Sequence, residues 1–172
     1  MSDTTAPAGL GVAGLNGLPA ADAERVLLAC CGSPAWARAL AAGRPYADAE
    51  AVLTAADAAL AALTEDEVDA ALAGHPRIGE RTAAASFSRG EQGGLDGSAA
   101  AVREALAAGN RAYEERFGHV YLVCATGRSG EELLAVLQER LAHEPAHERT
   151  VLREELRRIN RVRLSSLVGA TG

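Results

Sequence analysis

Three stretches of the chain carry side chains that can move a proton or grip a small anion. The first is Gly74-His75-Pro76-Arg77-Ile78-Gly79-Glu80. An imidazole titrates near neutral pH, which suits general acid–base work. Pro76 biases the backbone of His75 away from the α region, so the histidine leaves the preceding helical segment at a fixed exit. The other reading of His75 is a helix-end histidine interacting with the helix dipole. The second stretch, Ser88-Arg89-Gly90-Glu91-Gln92, groups a hydroxyl, a carboxylate and an amide. Ser88 and Glu91 also have the spacing of a capping box, and that reading stays open.

The third stretch is the last helical segment. Leu152, Leu156 and Ile159 recur at spacings of four and three and form an apolar stripe. At about 100° per residue, Arg163 returns to within roughly 20° of Leu152, whereas Arg161 points roughly opposite. Arg163 is therefore expected to face inward. A buried guanidinium needs an acidic partner or an anionic ligand, unless it snorkels to the rim.

Helical signals dominate the elements that must position these residues. Pro19 to Cys30 reads as a short amphipathic helix. Ser33-Pro34 supplies an N-cap and a first-turn proline for a helix through Trp36 and Leu40, closed by Gly43. Tyr46 to Leu63 is an alanine-rich helix. Thr64 to Glu67 is a capping box that opens a helix ending at Gly74-His75-Pro76. Residues 79 to 97 are glycine- and serine-rich, with a helical turn near Ala83 to Ser88. A long helix covers Ser98 to Phe117. The apolar run His119 to Thr126 lacks a hairpin partner and reads as a buried extended segment between helices. Ser129 to Glu132 is a second capping box, opening a helix to Ala142, and the last helix runs from about Pro145 to about Leu167. The expectation is an all-α fold: one compact helical bundle of about eight helices over residues 15–168, behind a flexible N-terminal tail at 1–14.

Composition narrows the function classes. The chain has 172 residues, 48% of them hydrophobic and only 3% aromatic, which favours closely packed alanine-rich helices. A net charge of -6 argues against a nucleic-acid or anionic-membrane partner, which would need clustered Lys and Arg. A small anionic substrate needs only one or two well-placed cations. No apolar run is long enough for a membrane span, and no basic segment precedes an apolar one as in a signal peptide. Cys30, Cys31 and Cys124 have no metal-ligand spacing and read as free thiols in a reducing compartment, so the chain is expected to be cytoplasmic.

Two other motif matches carry no weight. Gly9-Leu10-Gly11-Val12-Ala13-Gly14 fits the dinucleotide fingerprint, but no strand precedes it to aim phosphates at a helix N-terminus. His143-Glu144-Pro145-Ala146-His147 fits the zincin pattern, but Pro145 would break the continuous helix that such a site requires. It reads as an interhelical turn, and no metal site is expected.

Taken in order, several blocks resemble the family of 2-oxo-4-hydroxy-4-carboxy-5-ureidoimidazoline (OHCU) decarboxylases. They are Leu15-Asn16-Gly17-Leu18-Pro19, Cys31-Gly32-Ser33 with Trp36, His75 to Gly79, Ser88-x-x-Glu91-Gln92, Phe117-Gly118 before the apolar run, and Arg163-Leu164. The resemblance covers about residues 15 to 168. It implies an all-helical homodimer that uses no metal or organic cofactor and performs the last step from urate to (S)-allantoin. It also implies that His75 is catalytic with Glu91 as its partner. Pro76, Ser88, Gln92 and Arg163 would bind substrate, together with backbone groups of His119, Val120, Tyr121, Leu122 and Val123. His119 stands where the family more usually has an apolar or aromatic residue. Rival readings are a cofactor-free enzyme acting on a related ureide or hydantoin, a non-catalytic helical interaction module, and a metalloenzyme using His143 and His147.

Overall fold

Side-chain caps set several helix starts in the computed structural model, which describes residues 9–78 and 100–169. The helices are α1 (Gly11–Gly17), α2 (Ala20–Cys31), α3 (Pro34–Ala42), α4 (Ala49–Ala61), α5 (Glu65–Ala73), α6 (Ala100–Phe117), α7 (Gly130–Leu141) and α8 (Pro145–Val168). Among the described residues there is no strand, and the fold is all-α. Both capping boxes form: Thr64 and Glu67 at α5, and Ser129 and Glu132 at α7. Ser33 accepts the Trp36 N–H at the start of α3, with Pro34 at its first position.

Two expected boundaries move. The tail expected at residues 1–14 becomes helical from Gly11 onwards. Local propensity at Gly11, Gly14 and Gly17 is poor, but tertiary contacts override it. Leu15 is fully buried, and Arg44 donates to the terminal carbonyls of Leu15 and Leu18 at 2.8 and 2.6 Å. The helix expected from Tyr46 starts instead at Ala49, because Asp48 accepts the Ala51 N–H as its N-cap. Tyr46 lies outside that helix. Its N–H donates to Asn16 Oδ1 and its hydroxyl to the Leu40 carbonyl.

The chain divides into two packing units: Met1–Gly74 with Arg157–Gly172, and His75–Leu156. In the first, α2 and α3 pack together and α4 packs on α3. Trp36 is fully buried there, and its indole N–H donates to the Ala56 carbonyl at 3.0 Å. In the second, α6 and α7 pack around a core that includes Ile78, Leu106, Tyr113, Tyr121, Val123 and Leu137. No described helix is long and apolar enough to cross a membrane.

Candidate active site

His75 is buried, with 8% of its surface exposed, immediately after the helix that ends at Ala73. The segment it begins is fastened from α6. Asn110 donates through Nδ2 to the Ile78 carbonyl at 3.0 Å, and Ile78 itself packs into the core. The Arg77 guanidinium closes on Glu114 at 2.5 and 2.9 Å, and its hydrogen bonds hold the Glu114 carboxyl below the usual carboxylate range. Pro76 is half-buried. The histidine is thus placed on a short segment gripped two and three residues later, rather than on a loose turn. The other Asn110 amide atom, Oδ1, is buried without a hydrogen-bond partner among the described residues.

Arg163 faces inward, as the α8 stripe predicts. It is buried, like Leu152, Leu156 and Ile159, and its Nη1 donates to the Cys30 carbonyl at 3.0 Å. Arg161 behaves differently: half-exposed, it pairs with Asp57 at 2.7 Å and Glu50 at 3.3 Å. One turn before Arg163, Asn160 donates to Cys31 Sγ at 3.3 Å. Burial pushes the Cys31 thiol up, against the pull of Asn160 and Arg163. The turn that carries these acceptors is tight. Gly32 adopts φ +79°, and a Cβ there would meet the Ala71 carbonyl at 3.2 Å. Cys30, Cys31 and Cys124 form no disulfide with one another.

The apolar run after α6 begins where Gly118, at φ +76°, ends the helix. Tyr121, Leu122 and Val123 are buried, while His119 and Val120 are half-buried. The His119 ring lies edge-on to Tyr113 with centroids 5.5 Å apart, and its Nδ1 sits 3.3 Å from the Val120 carbonyl. Beneath this run is a buried ionic group absent from the sequence-based candidate set. Arg140 pairs with Glu148, whose carboxylate also takes the Tyr113 hydroxyl and lies 2.8 Å from His143 Nδ1. Burial pushes the Glu148 carboxyl up, but hydrogen bonds from Arg140 and Tyr113 outweigh it and hold the group below its ordinary value. Burial raises the Tyr113 hydroxyl, and its contact with Glu148 raises it further. A periodic signal was available for this pair. Arg140 continues the stripe of Leu133 and Leu137, and Glu148 precedes Leu152 by one turn.

His143 and His147 do not share a continuous helix, since α7 ends at Leu141 and α8 starts at Pro145. Their rings meet edge to face with centroids 4.6 Å apart, and His143 Nδ1 is directed to Glu148. Among the described residues, no group of three or more His, Cys, Asp or Glu side chains is arranged to hold a metal ion. Ser88, Glu91 and Gln92, and the helical turn expected near 83–88, lie outside the described residues. His75 and residues 119–123 fall in one packing unit and Arg163 in the other.

The family model of OHCU decarboxylase matches residues 16–165. The chain belongs to the OHCU decarboxylase family. It is 33% identical over 144 residues to the 2-oxo-4-hydroxy-4-carboxy-5-ureidoimidazoline decarboxylase of Amia calva, covering 78% of this chain and 81% of that protein. It is 30% identical over 146 residues to the uric acid degradation bifunctional protein TTL of Arabidopsis thaliana. That match covers 80% of this chain but spans only 45% of the bifunctional protein's length. In fold it resembles an OHCU decarboxylase crystallised in the presence of (S)-allantoin, with a TM-score of 0.74 and 24% identity over 83% of this chain and 96% of that one. Family membership makes the chain a decarboxylase, a carbon–carbon lyase of urate degradation.

Proposed function

We propose that this chain converts OHCU to (S)-allantoin without a cofactor, as a cytoplasmic homodimer whose functional domain spans residues 15–168. The observation that carries this reading is the family match across residues 16–165, which contains every proposed site residue.

Decarboxylation leaves an electron pair that needs a sink, and many decarboxylases borrow one from a cofactor. In OHCU a ring imine β to the carboxylate takes that pair as the bond to CO₂ breaks. The imine nitrogen takes up a proton, the hydroxyl on the carbon that lost CO₂ gives up its proton to become a carbonyl, and a proton adds to one face of the neighbouring, formerly imine carbon to give the chiral product. What remains for the protein is to orient the carboxylate, stabilise developing charge and deliver the proton. His75 hydrogen-bonds the substrate hydroxyl and relays the proton, with Glu91 as its partner. Its burial and the fastening of the 75–78 segment support a fixed geometry for that transfer. Arg163 grips the carboxylate through its planar fork, and the Cys30 carbonyl supports that orientation. Pro76, Ser88, Gln92 and the backbone of His119 to Val123 complete the substrate contacts.

The test is circular dichroism on freshly generated OHCU, with protein that has been dialysed against chelator. The expected result is accelerated CO₂ loss with accumulation of (S)-allantoin. Unchanged spontaneous, racemic decay would overturn the reading.

A further inference from the structure

We infer that Arg140 and Glu155 are positioning residues that hold the 120–125 segment by one edge and thereby aim its opposite edge at the substrate. The inference rests on the reading of residues 119–123 as a substrate-binding backbone.

The side chains of Tyr121, Val123 and Ala125 enter one core cluster, a period of two that marks an extended chain. In an extended chain the N–H and C=O groups of residues two apart point to the same edge. Two groups on one edge are tethered to the protein. The Leu122 carbonyl accepts from Arg140 Nη1 at 2.6 Å, and the Cys124 N–H donates to Glu155 Oε2 at 2.8 Å. The anchors are themselves fixed. Arg140 is clamped on Glu148 at the start of α8, and Glu155 is a buried carboxylate farther along that helix. The opposite edge carries the backbone groups of Tyr121 and Val123. Among the described residues these groups make no hydrogen bond. Buried backbone groups rarely stay unpaired, and this pair offers two donors and two acceptors in a row. A ureido or imidazolone ring presents the complementary alternation of N–H and C=O. The tethers at Leu122 and Cys124 decide which edge meets it, because the register alternates at every residue.

The experiment compares Glu155→Ala, Glu155→Gln and Arg140→Lys in the full chain, measuring kcat, KM, (S)-allantoin affinity and Tm. Alanine removes the acceptor for the Cys124 N–H, while glutamine keeps an oxygen there. Lysine keeps a charge for Glu148 but cannot also span to the Leu122 carbonyl as the guanidinium does. The expected result is a KM raised about tenfold in E155A, with (S)-allantoin affinity lowered in parallel, kcat changed by less than about threefold, and most of the loss recovered in E155Q. R140K is expected to shift KM in the same direction, so it supplies the test if E155A does not fold. Variants that lose only Tm, with KM and product affinity unchanged, would show merely structural contacts and overturn the inference. A wild-type protein without OHCU turnover would bring down the functional reading, and this inference with it. Active wild type with unaffected variants would bring down the inference alone.

Discussion

The two packing units each bury an arginine, and the two guanidinium groups are held in different ways. Arg140 is closed on the Glu148 carboxylate and the Leu122 carbonyl, beside the Tyr113 hydroxyl. Arg163 donates through Nη1 to the Cys30 carbonyl, one of several contacts it makes. A buried ion pair with satisfied hydrogen bonds organises its surroundings, and removing one partner strands the other charge. The planar fork of a guanidinium also suits recognition of an anionic ligand. Arg140 belongs to the framework, and the proposed function gives Arg163 the substrate carboxylate.

Substitutions can break that contrast. Arg163→Met is expected to lower kcat/KM by about two orders of magnitude or more, since it would remove the proposed charge-assisted contact to the substrate carboxylate. Thermal melting should change less than turnover does. Arg140→Met should do the reverse in proportion, costing about 3–5 kcal/mol, or on the order of 10 °C in Tm, by leaving the Glu148 carboxylate uncompensated. If the Tm losses were exchanged between the two variants, the assignment would fail.

Acid acts on the buried Arg140–Glu148 pair. The Glu148 carboxyl is held below its ordinary value in the folded protein, so the unfolded chain binds its proton more readily. Its stabilisation is complete above the ordinary value of 4.5 and is lost as pH falls through the lower folded value. Melting curves from pH 7 to pH 3 should therefore show an acid limb that flattens in Glu148→Gln. A smaller effect is expected at the mouth of the His75 segment. Arg77 is half-exposed, so breaking its pair with Glu114 by Glu114→Gln should cost less than about 1 kcal/mol in chemical denaturation.

Much of this was legible in the sequence for physical reasons. Ser33, Thr64 and Ser129 cap helices through contacts three residues away, so their signals are local. Arg163 was legible because helix periodicity alone fixes its direction. Helix α1 was not, because it depends on Arg44, which lies 29 residues from Leu15. Arg140, Glu148, Glu155 and Asn110 were missed because charged and amide side chains are expected outside. Their burial depends on partners brought together by folding. The same apolar stripes that located Arg163 also run through Arg140 and Glu148, so reading polar residues on every stripe would have found them.

The proposed function makes His75 the proton-handling centre of a cofactor-free OHCU decarboxylase. Single-turnover decarboxylation by His75→Ala, alongside its Tm and its affinity for (S)-allantoin, tests it most directly. The expected result is a rate lower by about three orders of magnitude, with a folded protein that still binds allantoin. A folded His75→Ala protein that releases CO₂ and forms (S)-allantoin at the wild-type rate would contradict it.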